Sequence, residues 1–438
     1  MPARFMSLLL IAGPLLLTPI FSSAADISTQ LRVAHFDLDP LFSPGDPPEQ
    51  VTHNISHLVA RVGNIRARAS NTAVYLSAFS NPNGETAHTT VFFPSSHLKE
   101  RGGALQFADA EFPQGELLAR VAREIKRAQP DVKVYAWMPM LNFEVAPNSR
   151  YYRAVKNAYI ESSRVEEGSY RRLSPFIGPV WDVVADIYRD LGRSAGRYLD
   201  GIVFHDDGAI SADEDSNPAS QNFFNSYDWS AHGLADPRRW QDLNDRERGQ
   251  RKSRYLTHFS RYMAVQAQDA LNAKFGLNKT LATARHVYSS AFANPRAVEW
   301  LAQDPDDLLA NYDFVAVEVY PYMEARATVP AYWSASFCDT ASSQGCIALD
   351  TRDYYDKVLS AMAARNASDK LIFVLQTVDW DLGRGVAADI ASDLIGRDMQ
   401  YLFERGAMHF GWYTDRYFPG SEHPGTNSEF GMMLGARL

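Results

Sequence analysis

Near the middle of the chain lies the segment Tyr198-Leu199-Asp200-Gly201-Ile202-Val203-Phe204-His205-Asp206-Asp207-Gly208. Its apolar run, from Gly201 to Phe204, has the length of a buried parallel strand and ends in His-Asp-Asp and a glycine. A single aspartate at this point would be interpreted as a helix cap. Two adjacent carboxylates repel each other, so packing alone does not explain them. Followed by Asp213-Glu214-Asp215, they indicate proton chemistry or a cationic ligand.

Similar short runs, rich in β-branched residues, recur along the chain and alternate with segments of helical periodicity. The predicted strands are 32–38, 73–79, 132–138, 201–205, 280–285, 314–320, 371–376 and 409–413. Strands that alternate with helices pair in parallel through βαβ units, and eight such units close into a (β/α)8 barrel, the TIM barrel of the α/β class. A doubly wound open sheet is the competing fold, but no glycine-rich phosphate fingerprint follows the first strand.

The predicted helices include 117–127, 255–271, 354–364 and 390–403, and further apolar helical faces lie near residues 55–62 and 183–191. Two connections are long and polar: residues 142–179 after the third strand and 206–251 after the fourth. We expect these insertions to lie over the catalytic face of the barrel. No Pro- or Ser-rich linker divides the chain, so residues 26–438 are predicted to form one domain.

The amino-terminal 25 residues have the pattern of a secretory signal peptide. Arg4 provides one positive charge, residues 5–21 are apolar, and small residues at 22–25 precede Asp26. A membrane anchor is the alternative, which Pro14 and Pro19 disfavour because they interrupt the apolar run. No later stretch is long enough to span a bilayer. We therefore predict a soluble, periplasmic or secreted protein without stable membrane insertion.

The bulk composition excludes some partners. The formal net charge is −9, and removal of the signal peptide with Arg4 leaves −10, which argues against nucleic acid and favours a neutral or cationic partner. Hydrophobic residues make up 46% of the chain, enough for a full-sized core. Aromatic residues make up 12%, which fits sugar stacking and ordinary core packing equally well.

Cys338 and Cys346 are the two cysteines of the chain. In an exported protein a pair so close in sequence predicts a local disulfide. The histidines show no HExxH string or repeated ligand spacing, so no metal site and no cofactor are predicted.

In a barrel of this kind the active site is built at the carboxyl ends of the strands. The candidate site residues there combine carboxylates with Trp and Tyr, as a carbohydrate cleft requires, because aromatic faces stack on sugars and paired carboxyl groups catalyse glycosidic cleavage. They are Asp37, Asp39, Trp137, His205, Asp206, Asp207, Asp213, Tyr320, Tyr322, Glu324, Asp379, Trp380 and Tyr413.

Several of these residues also have a structural interpretation. Asp37 and Asp39 alternate with apolar neighbours, so one of the two could be structural. Glu318, which also lies near a strand end, could pair with Arg285 inside the barrel rather than contact substrate. Trp380 could pack against the core as readily as bind sugar.

Two strings in the chain are specific when taken together: Tyr135-Ala136-Trp137-Met138-Pro139 and Phe204-His205-Asp206-Asp207. With residues 32–39, 320–324 and 375–380 they resemble, in the same order, the C-terminal glycoside hydrolase domain of the PgaB family, family 153 of the glycoside hydrolases. The resemblance covers essentially the whole mature chain. It implies a (β/α)8 barrel that cleaves partly de-N-acetylated poly-β-1,6-N-acetylglucosamine internally, with no metal in this domain.

The resemblance also implies roles for individual residues. Asp206 falls on the essential aspartate after the fourth strand, and Glu324 on the acidic residue of a Pro-Tyr-x-Glu string. The free amines of such a polymer are cationic, which suits the negative charge of the chain.

Two departures from the family pattern affect this reading. Full-length members carry an N-terminal metal-dependent deacetylase domain, for which this chain has no room, so no deacetylase activity is expected. The loop after His-Asp-Asp usually reads Ser-Asp-x-Glu-Asp, and here it reads Ser211-Ala212-Asp213-Glu214-Asp215. Ala212 either replaces the first carboxylate or displaces it by one position. This position contacts substrate or takes part in catalysis in the family, so hydrolysis and selectivity for deacetylated units depend on it.

The leading hypothesis is an exported endo-glycosidase acting on an amino-sugar exopolysaccharide of the kind found in biofilms. Asp206 would be the general acid, with its pKa raised by Asp207, and Glu324 would be the partner carboxylate or a substrate ligand. The alternative is a non-catalytic polysaccharide-binding protein that guides polymer through the periplasm, which Ala212 favours. A third hypothesis is a barrel glycosidase that acts on a different amino-sugar polymer.

Overall fold

The computed structural model describes residues 30–41, 46–69, 71–79, 91–98, 116–160, 171–232, 238–321, 351–381, 386–390 and 392–415. The strands are β1 Leu31–Phe36, β2 Asn71–Ser77, β3 Lys133–Met138, β4 Gly201–Phe204, β5 Ala282–Tyr288, β6 Phe314–Val319, β7 Leu371–Gln376, β8 Val378–Asp381, β9 Val386–Asp389 and β10 His409–Tyr413. Eight of them form a closed barrel in the order β1-β10-β7-β6-β5-β4-β3-β2. The predicted (β/α)8 barrel is therefore confirmed.

All neighbouring barrel strands pair in parallel, and β10 closes the barrel against β1 with Arg32 opposite Phe410 and Ala34 opposite Trp412. The strands are buried along almost their whole length, because helices cover the outer face and side chains fill the interior. This explains why the strands read in the sequence as short, nearly continuous apolar runs.

Helices lie between the strands. They are α1 Pro48–Arg66, α2 Leu117–Ala128, α3 Tyr152–Val155, α4 Gly178–Ser194, α5 Pro218–Ser226, α6 Asp245–Phe275, α7 Ser290–Ala293, α8 Val298–Leu301, α9 Pro305–Asn311, α10 Thr351–Ala363 and α11 Ser392–Glu404. No helix within the described ranges is long and apolar enough to cross a membrane.

The predicted elements agree with the observed ones apart from a few boundaries. The β5 strand extends to Tyr288, three residues beyond its predicted end. The α6 helix begins ten residues before its predicted start, at Asp245. Its polar first turns show no apolar face, and a capping box fixes its start: Asn244 Oδ1 accepts a hydrogen bond from the Glu247 backbone N–H at 3.0 Å, and the Asn244 N–H donates to Glu247 Oε2 at 3.0 Å.

The long connections after β3 and β4 are present as predicted. A third long connection, residues 78–116 after β2, was not predicted. The chain after β7 also differs from expectation, because β8 and β9 form an antiparallel pair there rather than an irregular loop.

In the outer layer, α4 packs closely against α6 at Gly192. A β-carbon at this position would overlap the carbonyl oxygen of Ala267 in α6. Gly178, at the start of the same helix, has no atom within 4 Å of its would-be β-carbon. An added methyl group would therefore overlap a neighbouring helix at Gly192 but contact nothing at Gly178.

We expect Gly192→Ala to reduce the free energy of unfolding by about 1–3 kcal/mol, because overpacking forces the backbones of α4 and α6 apart. The measurement is urea-induced unfolding followed by circular dichroism. Gly178→Ala is the matched control and is expected to change stability by less than about 0.5 kcal/mol. Equal losses for the two variants would contradict this account of the packing.

Candidate active site

Four rings from four different strands meet inside the barrel. The centroid of His35, from β1, lies 4.0 Å from that of Trp137 in β3, 5.5 Å from His286 in β5 and 4.6 Å from Tyr413 in β10. Neither β3 nor β5 is a neighbour of β1 in the barrel, so these contacts cross its interior. We call these four residues the ring cluster. Trp137 and Tyr413 were predicted as site residues, whereas His35 and His286 were not selected.

His205 and Asp206 join the ring cluster at the carboxyl end of β4. The His205 ring lies 4.6 Å from Trp137. Its Nδ1 atom lies 2.8 Å from Asp206 Oδ1 and 3.1 Å from the backbone nitrogen of Asp207. The hydroxyl of Tyr288 donates a hydrogen bond to Asp206 Oδ2. Asp206 is thus held between an imidazole and a phenol, with 7% of its surface exposed.

The electrostatics of this pair correct one prediction. Burial disfavours charge on both groups, but their mutual attraction outweighs it. The pKa of His205 rises to about 10, and the pKa of Asp206 falls below its ordinary value because of His205 and the Tyr288 hydrogen bond. The expectation that Asp207 raises the pKa of Asp206 is therefore wrong. Both shifts favour the charged forms, a protonated His205 beside an ionised Asp206.

Asp207, which was predicted to bind substrate, has its carboxylate hydrogen-bonded to the protein backbone. It is fully buried. Its carboxylate accepts backbone hydrogen bonds from Met140 at 2.9 Å, Leu141 at 2.7 Å and Asn142 at 2.7 Å. These N–H groups begin the long loop after β3, so Asp207 fixes that loop to the end of β4. Three backbone donors also explain how a second carboxylate is accommodated beside Asp206.

Glu318 pairs with His286. The sequence had suggested Arg285 as its structural partner, and the structure does not show that pair. The Oε1 atom of Glu318 lies 3.0 Å from His286 Nδ1. Arg285 is the preceding residue of β5, and adjacent strand residues point to opposite faces. Its Nη2 donates to the carbonyl oxygen of Gly208 at 3.2 Å.

The acidic loop after β4 is held by a buried lysine. Lys252 Nζ donates to the carbonyl oxygens of Ser211 at 2.9 Å, Ala212 at 3.1 Å and Glu214. Burial lowers the pKa of Lys252 to about 7, although the nearby carboxylates Asp215, Glu214 and Asp213 oppose this shift. Ala212 is 2% exposed. Asp213, by contrast, is exposed to solvent.

The remaining predicted site residues fall into three groups. Asp37 is half-buried, and its Oδ2 accepts a hydrogen bond from Thr414 Oγ1 at 3.2 Å. Asp39 is half-buried in a short 3-10 turn. Tyr320, at the end of β6, is 4% exposed. Of Asp379 and Trp380 the structure describes the backbone, in β8. Outside the described residues lie Tyr322, Glu324, Cys338, Cys346 and the predicted signal peptide.

Three residues that were not selected from the sequence, His35, His286 and Tyr288, contact residues that were. A strand's alternation places His286 and Tyr288 on the same face of β5, but β5 was predicted to end at residue 285. His35 lies within a predicted strand, and a lone histidine among apolar residues does not by itself indicate a functional site. Within the described ranges, no group of three or more His, Cys, Asp or Glu side chains could hold a metal ion.

We expect Asp207→Asn to reduce the free energy of unfolding by about 1–3 kcal/mol, because an amide cannot satisfy the backbone donors that the carboxylate accepts. Urea-induced unfolding would measure this loss. Asp213→Asn is the control from the same acidic region and, being exposed, should change stability by less than about 0.5 kcal/mol. A small effect of Asp207→Asn would mean that the carboxylate does not hold the loop.

The raised pKa of His205 makes its stabilising effect depend on pH. The folded protein binds the His205 proton more tightly than the unfolded chain, whose histidine pKa is about 6.5. The contribution is therefore complete below about pH 6.5 and is lost as the pH approaches the folded value of about 10. We expect the stability difference between wild type and His205→Asn to shrink steadily from pH 6.5 to 9.5 in urea unfolding. A constant difference would contradict the ion pair. His53→Asn on the surface of α1 is the control.

Comparisons with known proteins agree with this geometry. One solved structure, the PgaB (BpsB) glycoside hydrolase domain from Bordetella bronchiseptica, superposes with a TM-score of 0.68 and 28% identity, covering 88% of this chain and 94% of that one. The catalytic domain of a β-amylase from Paenibacillus polymyxa superposes with a TM-score of 0.51 at 10% identity over 93% of this chain and 98% of that one, a likeness of fold alone.

A curated relative from Escherichia coli K12 is named poly-beta-1,6-N-acetyl-D-glucosamine N-deacetylase. It is 26% identical over 386 residues, which are 88% of this chain and 50% of the relative. The chain thus spans about half the length of this relative. Residues 35–351 match the model of hypothetical glycosyl hydrolase family 13. The predicted resemblance is confirmed, and the chain belongs to this glycosyl hydrolase family.

Proposed function

We propose that this protein hydrolyses glycosidic bonds within partly de-N-acetylated poly-β-1,6-N-acetylglucosamine. The observation that carries the proposal is Asp206, held by His205 and Tyr288 at the carboxyl end of β4 in a glycosyl hydrolase barrel. The polymer is suggested by the name of the Escherichia coli relative. The deacetylase activity in that name is not part of the proposal, because this chain matches half of that protein.

In the proposed mechanism, His205 stores the proton that the leaving group needs. The proton passes from His205 Nδ1 to Asp206 and then to the glycosidic oxygen as the bond to the anomeric carbon breaks. A water molecule forms the new bond to the anomeric carbon and gives its proton to the partner carboxylate. Proton exchange with solvent then reprotonates His205 and returns the partner carboxylate to its ionised form. Glu324 is the proposed partner carboxylate. Chemistry of this kind requires two carboxyl groups on the two sides of the scissile bond.

The charge of the chain suits an amino-sugar polymer. The formal net charge is −9, which favours cationic amines, whereas Asp206 itself is paired with His205. The half-buried ring of Tyr413, 5.5 Å from Trp137, offers an apolar face to a sugar. Within the proposal, residues 1–25 direct the chain out of the cytoplasm, and cleavage occurs inside the polymer rather than at its ends.

We expect Asp206→Asn to lower the rate of oligomer release at least about 100-fold, since loss of a general acid typically costs ~100–10,000-fold. The assay incubates the mature protein with the partly de-N-acetylated polymer and identifies soluble oligomers by mass spectrometry. Asp182→Asn, at an exposed position on α4, makes the same chemical change away from the site and should retain wild-type activity. Undiminished release by Asp206→Asn would refute the role of Asp206.

A second candidate function, non-catalytic binding of the same polymer, is favoured by one observation. The lowered pKa of Asp206 leaves an ionised carboxylate, which can bind a glucosamine ammonium group without any proton transfer. The same incubation distinguishes the two functions. Binding of the polymer by wild type without soluble products would favour the second, and products from another amino-sugar polymer alone would replace the proposed substrate.

A further inference from the structure

We propose that His286, oriented by Glu318, forms with His35 and Trp137 the polar floor of the sugar pocket beside Asp206, and that this floor binds an uncharged sugar substituent. The substituent is a hydroxyl or an N-acetyl group, which can both donate and accept hydrogen bonds. The proposal rests on the proposed function for the identity of the polymer. It adds residues that recognise the sugar and are distinct from the proton-transfer pair.

The floor contains buried polar atoms that the described protein leaves unsatisfied. Within the described ranges, Nδ1 and Nε2 of His35, Nε2 of His286 and Nε1 of Trp137 have no hydrogen-bond partner. The three residues are 1%, 1% and 3% exposed. Leaving a polar group buried and unpaired costs about 1–3 kcal/mol, so native proteins rarely gather several at one place without a ligand for them.

The rings that carry these atoms lie together inside the barrel. The centroid of Trp137 lies 4.0 Å from His35 and 5.8 Å from His286, and 4.6 Å from His205, whose Nδ1 contacts Asp206. The floor therefore adjoins His205, which contacts the carboxylate of the proposed acid. A sugar bound against Asp206 would bring its substituents to this floor.

Glu318 sets the hydrogen-bonding character of His286. Burial lowers the pKa of His286 to about 3, and the pKa of His35 falls well below its ordinary value for the same reason, so both rings are neutral at pH 7. A neutral imidazole has one donor and one acceptor nitrogen. Because Nδ1 of His286 faces Glu318 Oε1 at 3.0 Å, Nδ1 carries the hydrogen and Nε2 is the acceptor.

The floor thus presents a fixed acceptor, His286 Nε2, and a fixed donor, Trp137 Nε1. The neutral ring of His35 contributes one further donor and one further acceptor. A carboxylate could not satisfy the acceptor and would be repelled by Glu318 and Asp206. A hydroxyl or an N-acetyl group matches the floor, whereas the acidic substituent of a uronic acid does not.

The first test reads the tautomer of His286 by ¹⁵N NMR of the wild-type protein labelled at histidine, with His286→Gln used to assign its signals. At pH 7 we expect Nδ1 to carry the hydrogen and Nε2 to be bare. A protonated Nε2 in the free protein would overturn the proposal. This measurement needs no substrate, so it is independent of the proposed function.

The second test measures binding of β-1,6-linked glucosamine tetramers, fully N-acetylated or fully de-N-acetylated, to the Asp206→Asn variant by calorimetry. We expect His286→Phe in that background to weaken binding about tenfold, the effect of one hydrogen bond of ~1.4 kcal/mol. We also expect saturating tetramer to shift the Nε2 signal of His286. A merely structural histidine would leave that signal unmoved, and an unmoved signal with unchanged affinity would overturn the proposal.

Comparing the two tetramers identifies the substituent. A loss confined to the N-acetylated tetramer assigns the floor to the acetamido group, and equal losses assign it to a hydroxyl. If the Asp206→Asn variant binds neither tetramer, the proposed polymer is wrong. The tautomer measurement then still decides whether Nε2 of His286 is a hydrogen-bond acceptor. If the variant binds both and His286→Phe changes neither, the proposed function stands and the floor is rejected.

Discussion

Closure of the barrel between β1 and β10 is the constraint on which the site depends. Parallel strands place all their carboxyl ends at one rim, but only closure brings β1 opposite β3 and β5. Asp415 fastens the closing strands: its N–H donates to the His35 carbonyl at 2.8 Å, and its carboxylate accepts hydrogen bonds from Trp412 Nε1 at 2.8 Å and from Arg61 at 2.8 Å. The His35 carbonyl is therefore anchored at the closing strand, and the ring of the same residue belongs to the ring cluster.

The barrel was predictable from the sequence because its strands are buried on both faces, and such strands appear as short apolar runs between helical segments. The prediction failed where an element has no apolar signature of its own. The first turns of α6 are polar and begin at the Asn244 capping box, and β8 and β9 pair only with each other. Local hydrogen bonds fix those elements, and the spacing of hydrophobic residues does not reveal such hydrogen bonds.

The position of the two adjacent carboxylates at a strand end was predictable, but the groups that contact each of them were not. Asp206 and Asp207 are neighbours in sequence but have different partners. Asp206 pairs with His205, whereas Asp207 accepts a hydrogen bond from the backbone of Met140, more than 60 residues away. A sequence shows that two carboxylates are adjacent; it does not show which cations or donors face each of them. The sign of the pKa shift of Asp206 therefore depends on His205 and Tyr288, not on Asp207.

The loop Ser211–Asp215 shows how the departure at Ala212 fits the fold. The carbonyl of Ala212 accepts a hydrogen bond from the buried Lys252, and its N–H donates to the Glu299 carbonyl at 2.7 Å. Glu214 pairs with Arg172, and Asp215 accepts hydrogen bonds from Ser174 at 2.5 Å and Ser220 at 2.8 Å. Within this loop Asp213 is the carboxylate exposed to solvent. Ala212 is thus buried with its backbone held at both the N–H and the carbonyl, and the solvent-exposed side chain of Asp213 follows it directly.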